Sequence, residues 1–508
     1  SAEALTENRA GLRTLVAGSV VSAGFAALVG ARVFASDVAK YFSFAGGATG
    51  FGFSLSLALV GAGQLIGLGV GLAMLAGLII SWGVLTPVYT HLNPSVAPAA
   101  TFAVDVWRHK VRFVGAGTIG ISAIWALFSL ARPVWNGVRS SLAASRRLNA
   151  VEEAALPITE RDIPIKLVGL ISLACLIPLV VLLVLFLSGG PLASLVVPLV
   201  IGAVIYVVLA GFFVAAACGY MAGLIGSSNS PVSGLAILAV IGASLLLVAL
   251  AKSAGLNAAG ALVAYSLLVT AVVLCIATIS NDNLQDLKTG QLVGATPWRQ
   301  QAALIVGVIF GALVIPPILD LLNHAYGFAG SPNVTAAAAS QALAAPQATL
   351  ISALALGVIK GQIDWGLIGR GVLIGIAVIV IDEALRRSGG GRKLPPLAVG
   401  LGIYLPVGTI STVVVGAVLG AVYNRWVANG PHAKMAQRLG VLLASGLIVG
   451  ESLFGVLLAA LIYFSHNPTP LSLVSDAFAG NSVILGGVAF LAVLYALYRW
   501  TGRQAARP

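Results

Sequence analysis

Residues 280–300 read SNDNLQDLKTGQLVGATPWRQ, a polar stretch set between residues 258–278 and 302–319, which are almost unbroken apolar sequence. Each apolar flank is near the roughly 20 residues that a helix needs to cross a bilayer core. A plain turn between two spans needs only a few polar residues. This island instead offers Asn281, Asp282, Asn283, Gln285, Asp286, Lys288 and Thr289, so it presents hydrogen bonds of both signs. Two readings stay open at this point. One is a solvated cytoplasmic loop in which Asp286 and Lys288 pair. The other is a half-membrane loop lining a substrate cavity, where non-helical polar backbone is tolerated.

Composition places the whole chain in a bilayer. Of 508 residues 59% are hydrophobic and only 9% charged, with a mean hydropathy of +1.02, against about a quarter charged in a soluble globule. Lys and Arg outnumber acids 28 to 16, but the basic residues cluster between apolar runs as the positive-inside rule requires, so nucleic acid is excluded as a partner. Cys175, Cys218 and Cys275 show no paired spacing and read as small core residues. The five histidines are scattered, so no metal site is expected.

The string Asp282-Asn283-Leu284-Gln285-Asp286-Leu287-Lys288-Thr289-Gly290, followed by Leu292-Val293-Gly294-Ala295-Thr296-Pro297-Trp298, resembles the signature of the oligopeptide transporter (OPT) family, its prokaryotic branch most and the plant yellow-stripe metal-chelate branch next. Two further strings carry the same resemblance, residues 226–234 (GSSNSPVSG) and Gly450-Glu451-Ser452-Leu453-Phe454-Gly455, so that it runs from about residue 51 to 500. The resemblance implies a secondary transporter that imports small peptides or peptide-like metal chelates, driven by protons and needing no further cofactor. It also implies that the family's first spans are missing ahead of Ser1. Ser280-Asn281-Asp282 stands where relatives often have Ala-Gly-Asp, which weakens transfer of substrate choice but not of class.

The expected fold is therefore all-α, a single polytopic transmembrane domain over 1–508 with discontinuous or re-entrant helices and an internal repeat. It has about a dozen segments by span length, and 132–166 forms a cytoplasmic connector. Residues 51–89, which include Gly61, Gly63, Gly67, Gly69, Gly71 and Gly77, form a block about twice a span long, which must turn back in or near the membrane. Gly69, Gly71 and Gly77 read as helix-packing residues, whereas Gly61, Gly63 and Gln64 read as cavity lining, because Gln64 is the one amide in its run. Residues 395–426 are again over-long and break at Pro406-Val407-Gly408; keeping Arg425, Lys434, Arg438, Arg499 and Arg503 on the inner side requires two halves and a cytoplasmic C-terminus. Val60-Gly61-Ala62-Gly63 with Gly77 aligns with Val399-Gly400-Leu401-Gly402 and Gly416 at one constant offset, with chance likeness of Gly-rich helices as the competing explanation.

Candidate site residues follow from polarity at membrane depth. Ser228, Asn229 and Ser230 precede Pro231 and suit a helix cap whose N-terminus can hold a substrate carboxylate. Asn281, Asp282, Gln285, Asp286 and Lys288 come from the island, Gln64 and Tyr404 from the two broken blocks. Glu451 is the one acid well inside a span; its burial is expensive, and a carboxyl in low dielectric can carry a proton near neutral pH, which suits proton coupling, although a structural acid that glues helices is also admitted. Asp382 and Glu383 sit beside Arg386 and Arg387 and read as ion-paired. The expected setting is multi-pass in the inner (plasma) membrane, with a homodimer admitted as an assembly. An intramembrane enzyme would need a nucleophile with a base or a His-Glu zinc motif, and none is evident; a channel would need rings of like groups around a pore.

Overall fold

The computed structural model describes residues 2–129 apart from 45 and 127, and then 157–225, 232–251, 258–328, 346–361, 364–388, 393–430, 432–467 and 469–504. In chain order the helices are α1 (Ala2–Gly30), α2 (Leu57–Ile66), α3 (Leu68–Leu78), α4 (Thr86–His91), α5 (Ala99–Val106), α6 (112–126), α7 (Ile165–Ser188), α8 (Val196–Ile225), α9 (Val232–Leu250), α10 (Ala259–Val293), α11 (Pro297–Tyr326), α12 (Pro346–Lys360), α13 (Trp365–Arg387), α14 (Pro396–Tyr404), α15 (Val407–Val427), α16 (Ala433–Ser465) and α17 (Ala479–Gln504). Wide π-helical turns at Ile79–Leu85 and Trp107–Val111 join α3 to α4 and α5 to α6. Among the described residues ten helical stretches are long and apolar enough to cross a membrane. The protein is an all-α polytopic membrane protein with interrupted helices.

One small sheet interrupts that pattern. Strands β1 (Asp37–Phe44) and β2 (Gly47–Ser54) pair antiparallel, with Asp37 opposite Ser54 and Phe44 opposite Gly47. The sequence GATGFGFS alternates small and aromatic residues at the period of a strand, and its glycines let β2 lie against α4. The Thr90 hydroxyl on α4 accepts from the Ala48 N–H at 2.7 Å.

The described chain forms two compact units, Ser1–Thr118 with Pro317–Ala344 and Gly366–Pro508, and Ile119–Pro316 with Ala345–Trp365. In the first unit the organising contact is between two broken helices. Gly67 (φ 82°, ψ 166°) separates α2 from α3, and the Leu405–Pro406 step separates α14 from α15. A Cβ at Gly63 would strike the Val413 carbonyl, and one at Gly416 the Val60 carbonyl. A Cβ at Gly77 would strike the Val399 carbonyl, and one at Gly402 the Met74 carbonyl. Partner numbers fall as residue numbers rise, so the two broken helices run antiparallel with backbone against backbone. Helices α1 and α16 meet in the same way, through Gly18 on the Leu443 carbonyl and Gly446 on the Leu15 carbonyl, as do α6 and α13, through Gly117 on Ile368 and Gly371 on Val114.

The second unit is packed by larger side chains. Tyr265 is fully buried among Leu183, Leu199, Leu247 and Val269, and Ser244 and Ser266 share a hydrogen bond of 2.7 Å between α9 and α10. Its long helix α10 corrects an expectation. Residues 280–293 are not a loop but the last four turns of α10, because no residue from Ser280 to Val293 breaks a helix until Gly294 takes the left-handed cap (φ 75°, ψ 24°). Helix α11 likewise continues through Pro316 and Pro317 to Tyr326.

Two readings of small residues also change. Gly61 and Gly63, expected beside substrate, are packing positions, Gly61 lying on the Ala444 carbonyl; Gly69, expected to pack, is exposed with open space around it. Of the cysteines only Cys218 is buried, while Cys175 and Cys275 sit on exposed helix faces. The ion pairs Asp382–Arg386 (2.8 Å) and Glu383–Arg387 (3.0 Å) are present as read from their spacing. Most of the expected cytoplasmic connector, residues 132–156, lies outside the described residues.

These contacts set an order of thermal stability in detergent. Gly77→Ala and Gly402→Ala must force two backbones apart and should each cost about 1–3 kcal/mol, lowering the melting temperature, whereas Gly69→Ala should leave it unchanged or higher. Gly67→Ala should also destabilise, by about 1–3 kcal/mol, although nothing lies within 4 Å of the added carbon, because its φ and ψ fall where almost only glycine goes. Equal melting temperatures for all four variants would refute the assignment of Gly63, Gly77, Gly402 and Gly416 as the packing seam.

Candidate functional site

Breaking a helix inside a membrane leaves backbone donors and acceptors that need partners. In the first unit each broken helix finds them in side chains from a neighbouring element, and these side chains define the site.

At the start of α2 the partner is Glu451. It sits in the middle of α16, which Gly450 brings close to α1 by lying on the Ser19 carbonyl. One carboxylate oxygen accepts from the Ser56 hydroxyl at 2.6 Å, and the other accepts from the Ala58 N–H at 2.9 Å. Ser56 in turn accepts from the Leu59 N–H at 3.1 Å, so serine and glutamate together cap the helix. The N-terminal end of a helix dipole favours acidic groups, and α2 begins on one.

At the far end of α2 is Gln64. Its Oε1 accepts from the Tyr498 hydroxyl at 2.6 Å, which ties α2 to α17, and Gly440 leaves room for its Nε2. Tyr498 and Tyr423 lie with ring centroids 5.4 Å apart, and the Tyr423 hydroxyl donates to the Ala436 carbonyl at 2.8 Å.

At the end of α14 the free carbonyl of Ile403 accepts from the Ser81 hydroxyl at 3.1 Å and from the Trp107 indole at 3.3 Å. Tyr404, the last residue of α14, is 1% exposed. Arg112 donates to its hydroxyl and places its guanidinium carbon 4.6 Å from the Tyr404 ring centroid and 5.3 Å from that of Trp107. Trp82 stacks on Trp107, 5.9 Å between centroids at 29°. Sequence reading named Tyr404 here but missed Arg112, Trp107, Trp82 and Thr86. A usable signal existed: Arg112 opens the apolar run after the basic cluster at 108–110, and Trp82 and Thr86 are spaced four apart on one helical face.

In the second unit the island residues occupy one helix. Asn281 is buried, and its Oδ1 has no hydrogen-bond partner, while Asp282, Gln285, Asp286 and Lys288 are exposed. Lys288 donates to Gln291 at 2.9 Å. Ser280 donates to the Ala215 carbonyl at 2.6 Å, and Gly219 leaves the space that this contact needs. Gln300 and Gln301 in the first turn of α11 add two more buried amide atoms without partners, and the Gln300 amide lies over Gly290. The sequence pointed to neither glutamine. Ser228, Asn229 and Ser230 lie outside the described residues.

A cavity of about 290 Å³ in the first unit is lined by Arg32, Ser36, Asp37, Ser475 and Ser482 among others, and by none of the residues chosen from sequence. No group of three His, Cys, Asp or Glu side chains that could hold a metal ion occurs among the described residues.

Comparison with known proteins places this architecture. The family model described as "OPT oligopeptide transporter protein" matches residues 8–462. A Haemophilus influenzae protein named as an oligopeptide transporter is 43% identical over 479 residues, covering 91% of this chain and 75% of the relative. An Arabidopsis thaliana protein named as a metal-nicotianamine transporter, YSL5, is 26% identical over 222 residues, covering 42% of this chain and 29% of the relative. The chain belongs to the OPT oligopeptide transporter family.

Proposed function

We propose that the protein is a secondary transporter that carries small peptides or peptide-like metal chelates into the cell by alternating access, with protons as the coupling ion. The names of its relatives supply the substrate classes. One observation carries the mechanism: the contacts between the broken helices are reciprocal. The same offset separates Gly63 from Gly402, Gly77 from Gly416, Val60 from Val399, Met74 from Val413 and the break at Gly67 from Pro406. Each contact therefore has a twin with the partners exchanged, as a two-fold axis demands.

The flanking helices follow the same rule. Gly18 on Leu443 and Gly446 on Leu15 are matched by Gly371 on Val114 and Gly117 on Ile368, with one offset from α1 to α13 and another from α6 to α16. Helices α1, α2–α3 and α6 thus form one copy, and α13, α14–α15 and α16 the other. Because the crossing helices are antiparallel, the axis relating the copies lies across them, which is the inverted-repeat plan of carriers that rock about a central site. The two copies can exchange conformations, and that exchange moves access from one side to the other.

Glu451 is the group we assign to the proton. As a carboxylate it caps α2; once protonated, the oxygen that gains hydrogen no longer serves the Ala58 N–H or the Ser56 hydroxyl, and the start of α2 is freed. Protonation and helix movement are then linked through one carboxyl. Gln64 and Tyr404 at the two broken helices are the substrate-facing candidates of the first unit; in the second unit, taken by itself, Asn281, Asp282, Gln285, Asp286 and Lys288 on α10 are candidates, and the unpartnered Oδ1 of Asn281 supports its place among them. The inner membrane and a cytoplasmic C-terminus complete this reading, and no part of it calls for enzymatic chemistry.

In proteoliposomes Glu451→Gln should cut proton-driven tripeptide uptake at least about tenfold while leaving counterflow exchange measurable and the purified yield intact. Uptake at the wild-type rate would remove Glu451 from the coupling step. Glu451→Ala leaves both capped groups unpaired and should in addition cost about 1–3 kcal/mol of stability, read as a lower melting temperature than that of Glu451→Gln.

A further inference from the structure

We propose that Arg112, Trp82 and Thr86 form a carboxylate-binding site beside the break between α14 and α15, so that a free carboxylate is what this carrier recognises on its substrates. The word substrate rests on the transport reading above; the site itself rests on the following geometry.

Trp82 is 5% exposed and its Nε1–H has no hydrogen-bond partner; Thr86 is completely buried and its hydroxyl has none either. Leaving such a group unpaired costs about 1–3 kcal/mol, so two on one helical face, four residues apart, call for a missing partner. They lie in or directly after the π-helical turn Ile79–Leu85, and wide turns of this kind disturb the backbone ladder and gather at functional sites. Here the Trp82 carbonyl leaves its helix to accept from the Thr49 hydroxyl.

The neighbouring groups select the ligand. Trp82 stacks on Trp107, and the guanidinium of Arg112 lies against the same Trp107 ring and against Tyr404. Arg112 is 7% exposed, so its charge is held away from water. A buried cation and an indole N–H within one aromatic cluster, with an unpaired hydroxyl four residues along from the indole, are complementary to an anionic acceptor. A guanidinium fork matches the two oxygens of a carboxylate, which peptides and aminocarboxylate chelates share.

The site also reaches the hinge. Arg112 donates to the hydroxyl of Tyr404, the residue that ends α14. An arriving carboxylate is a stronger acceptor than a phenol and exchanges with it, releasing the end of α14 from Arg112. Substrate binding at this point thereby loosens one broken helix while the proton on Glu451 loosens the other.

The test compares tri-alanine, its C-terminal amide and a metal–nicotianamine complex as ligands of the purified full-length chain, read as thermal stabilisation, with uptake measured in parallel. Trp82→Phe keeps the ring stack and removes only the N–H; Thr86→Val keeps the volume and removes only the hydroxyl. Wild type should respond to the free acid and the chelate at about tenfold lower concentration than to the amide. Both variants should be as stable as wild type or more so without ligand, should lose about tenfold in response to the acid and the chelate, and should keep the response to the amide. Equal action of acid and amide on wild type, no stabilisation by any of the three, or ligand-free destabilisation of both variants would overturn the site. Acid-selective stabilisation that the variants lose, without wild-type uptake of any ligand, would keep the site and sink the carrier reading.

Discussion

Carbonyl oxygens of Val60, Met74, Val399 and Val413 rest on glycine α-carbons of the opposite helix, and the first unit is built outward from those four contacts. In lipid there is no hydrophobic gain when two apolar helices meet, so association depends on how closely their atoms approach. Glycine removes the one carbon that would hold the backbones apart. The cost is that glycine-rich helices hold their own conformation poorly, and both crossing helices are in fact interrupted. Close packing comes from Gly63, Gly77, Gly402 and Gly416, and the interruptions at Gly67 and Pro406 fall between them. A seam of this kind is tight enough to fix two elements against each other.

Interruption then creates the chemistry. Helix ends inside a membrane need capping, which Glu451 and Ser56 supply on one side and Ser81 and Trp107 on the other, with Arg112 holding the Tyr404 side chain beside the second break. On the proposed reading the cap at Glu451 is the group that answers to protons, and Arg112 with the unpaired donors near its aromatic surroundings the one that answers to anions. Capping and the proposed proton response meet in one carboxyl at Glu451, whereas the proposed anion site lies next to the caps of α14.

Much of this was legible in the amino-acid order. Apolar runs gave the spans, Pro406 gave one break, and the spacing of Asp382 and Glu383 to Arg386 and Arg387 gave the ion pairs, because each depends on residues near in sequence. The isolated acid at Glu451 stood out for the same reason. The polar island was misjudged as a loop because asparagine and aspartate favour caps and turns as much as helix, and only the capping geometry at Gly294 shows that α10 runs through it. Gly61 and Gly63 were misjudged because a glycine does not announce what lies against it; the answer, Ala444 and Val413, is hundreds of residues away. Arg112 reads in the sequence as part of the basic flank of an apolar run, since Tyr404, whose ring it faces, comes from a distant segment.

The crossing of α2–α3 with α14–α15 carries a consequence for how the protein is made. Its partners lie at 60–77 and 399–416, so the ribosome must finish most of the chain before the seam can close. Until then the glycine face of the earlier helix pair stands bare to lipid, without the backbone neighbour it is shaped for. Helices α7 to α10 wait less, because they pack largely on one another, with α12 the main partner made later. Biogenesis therefore runs from the middle of the chain outward, and a nascent chain stalled before residue 399 exposes a surface that an insertase or a membrane quality-control protease can read as unfinished.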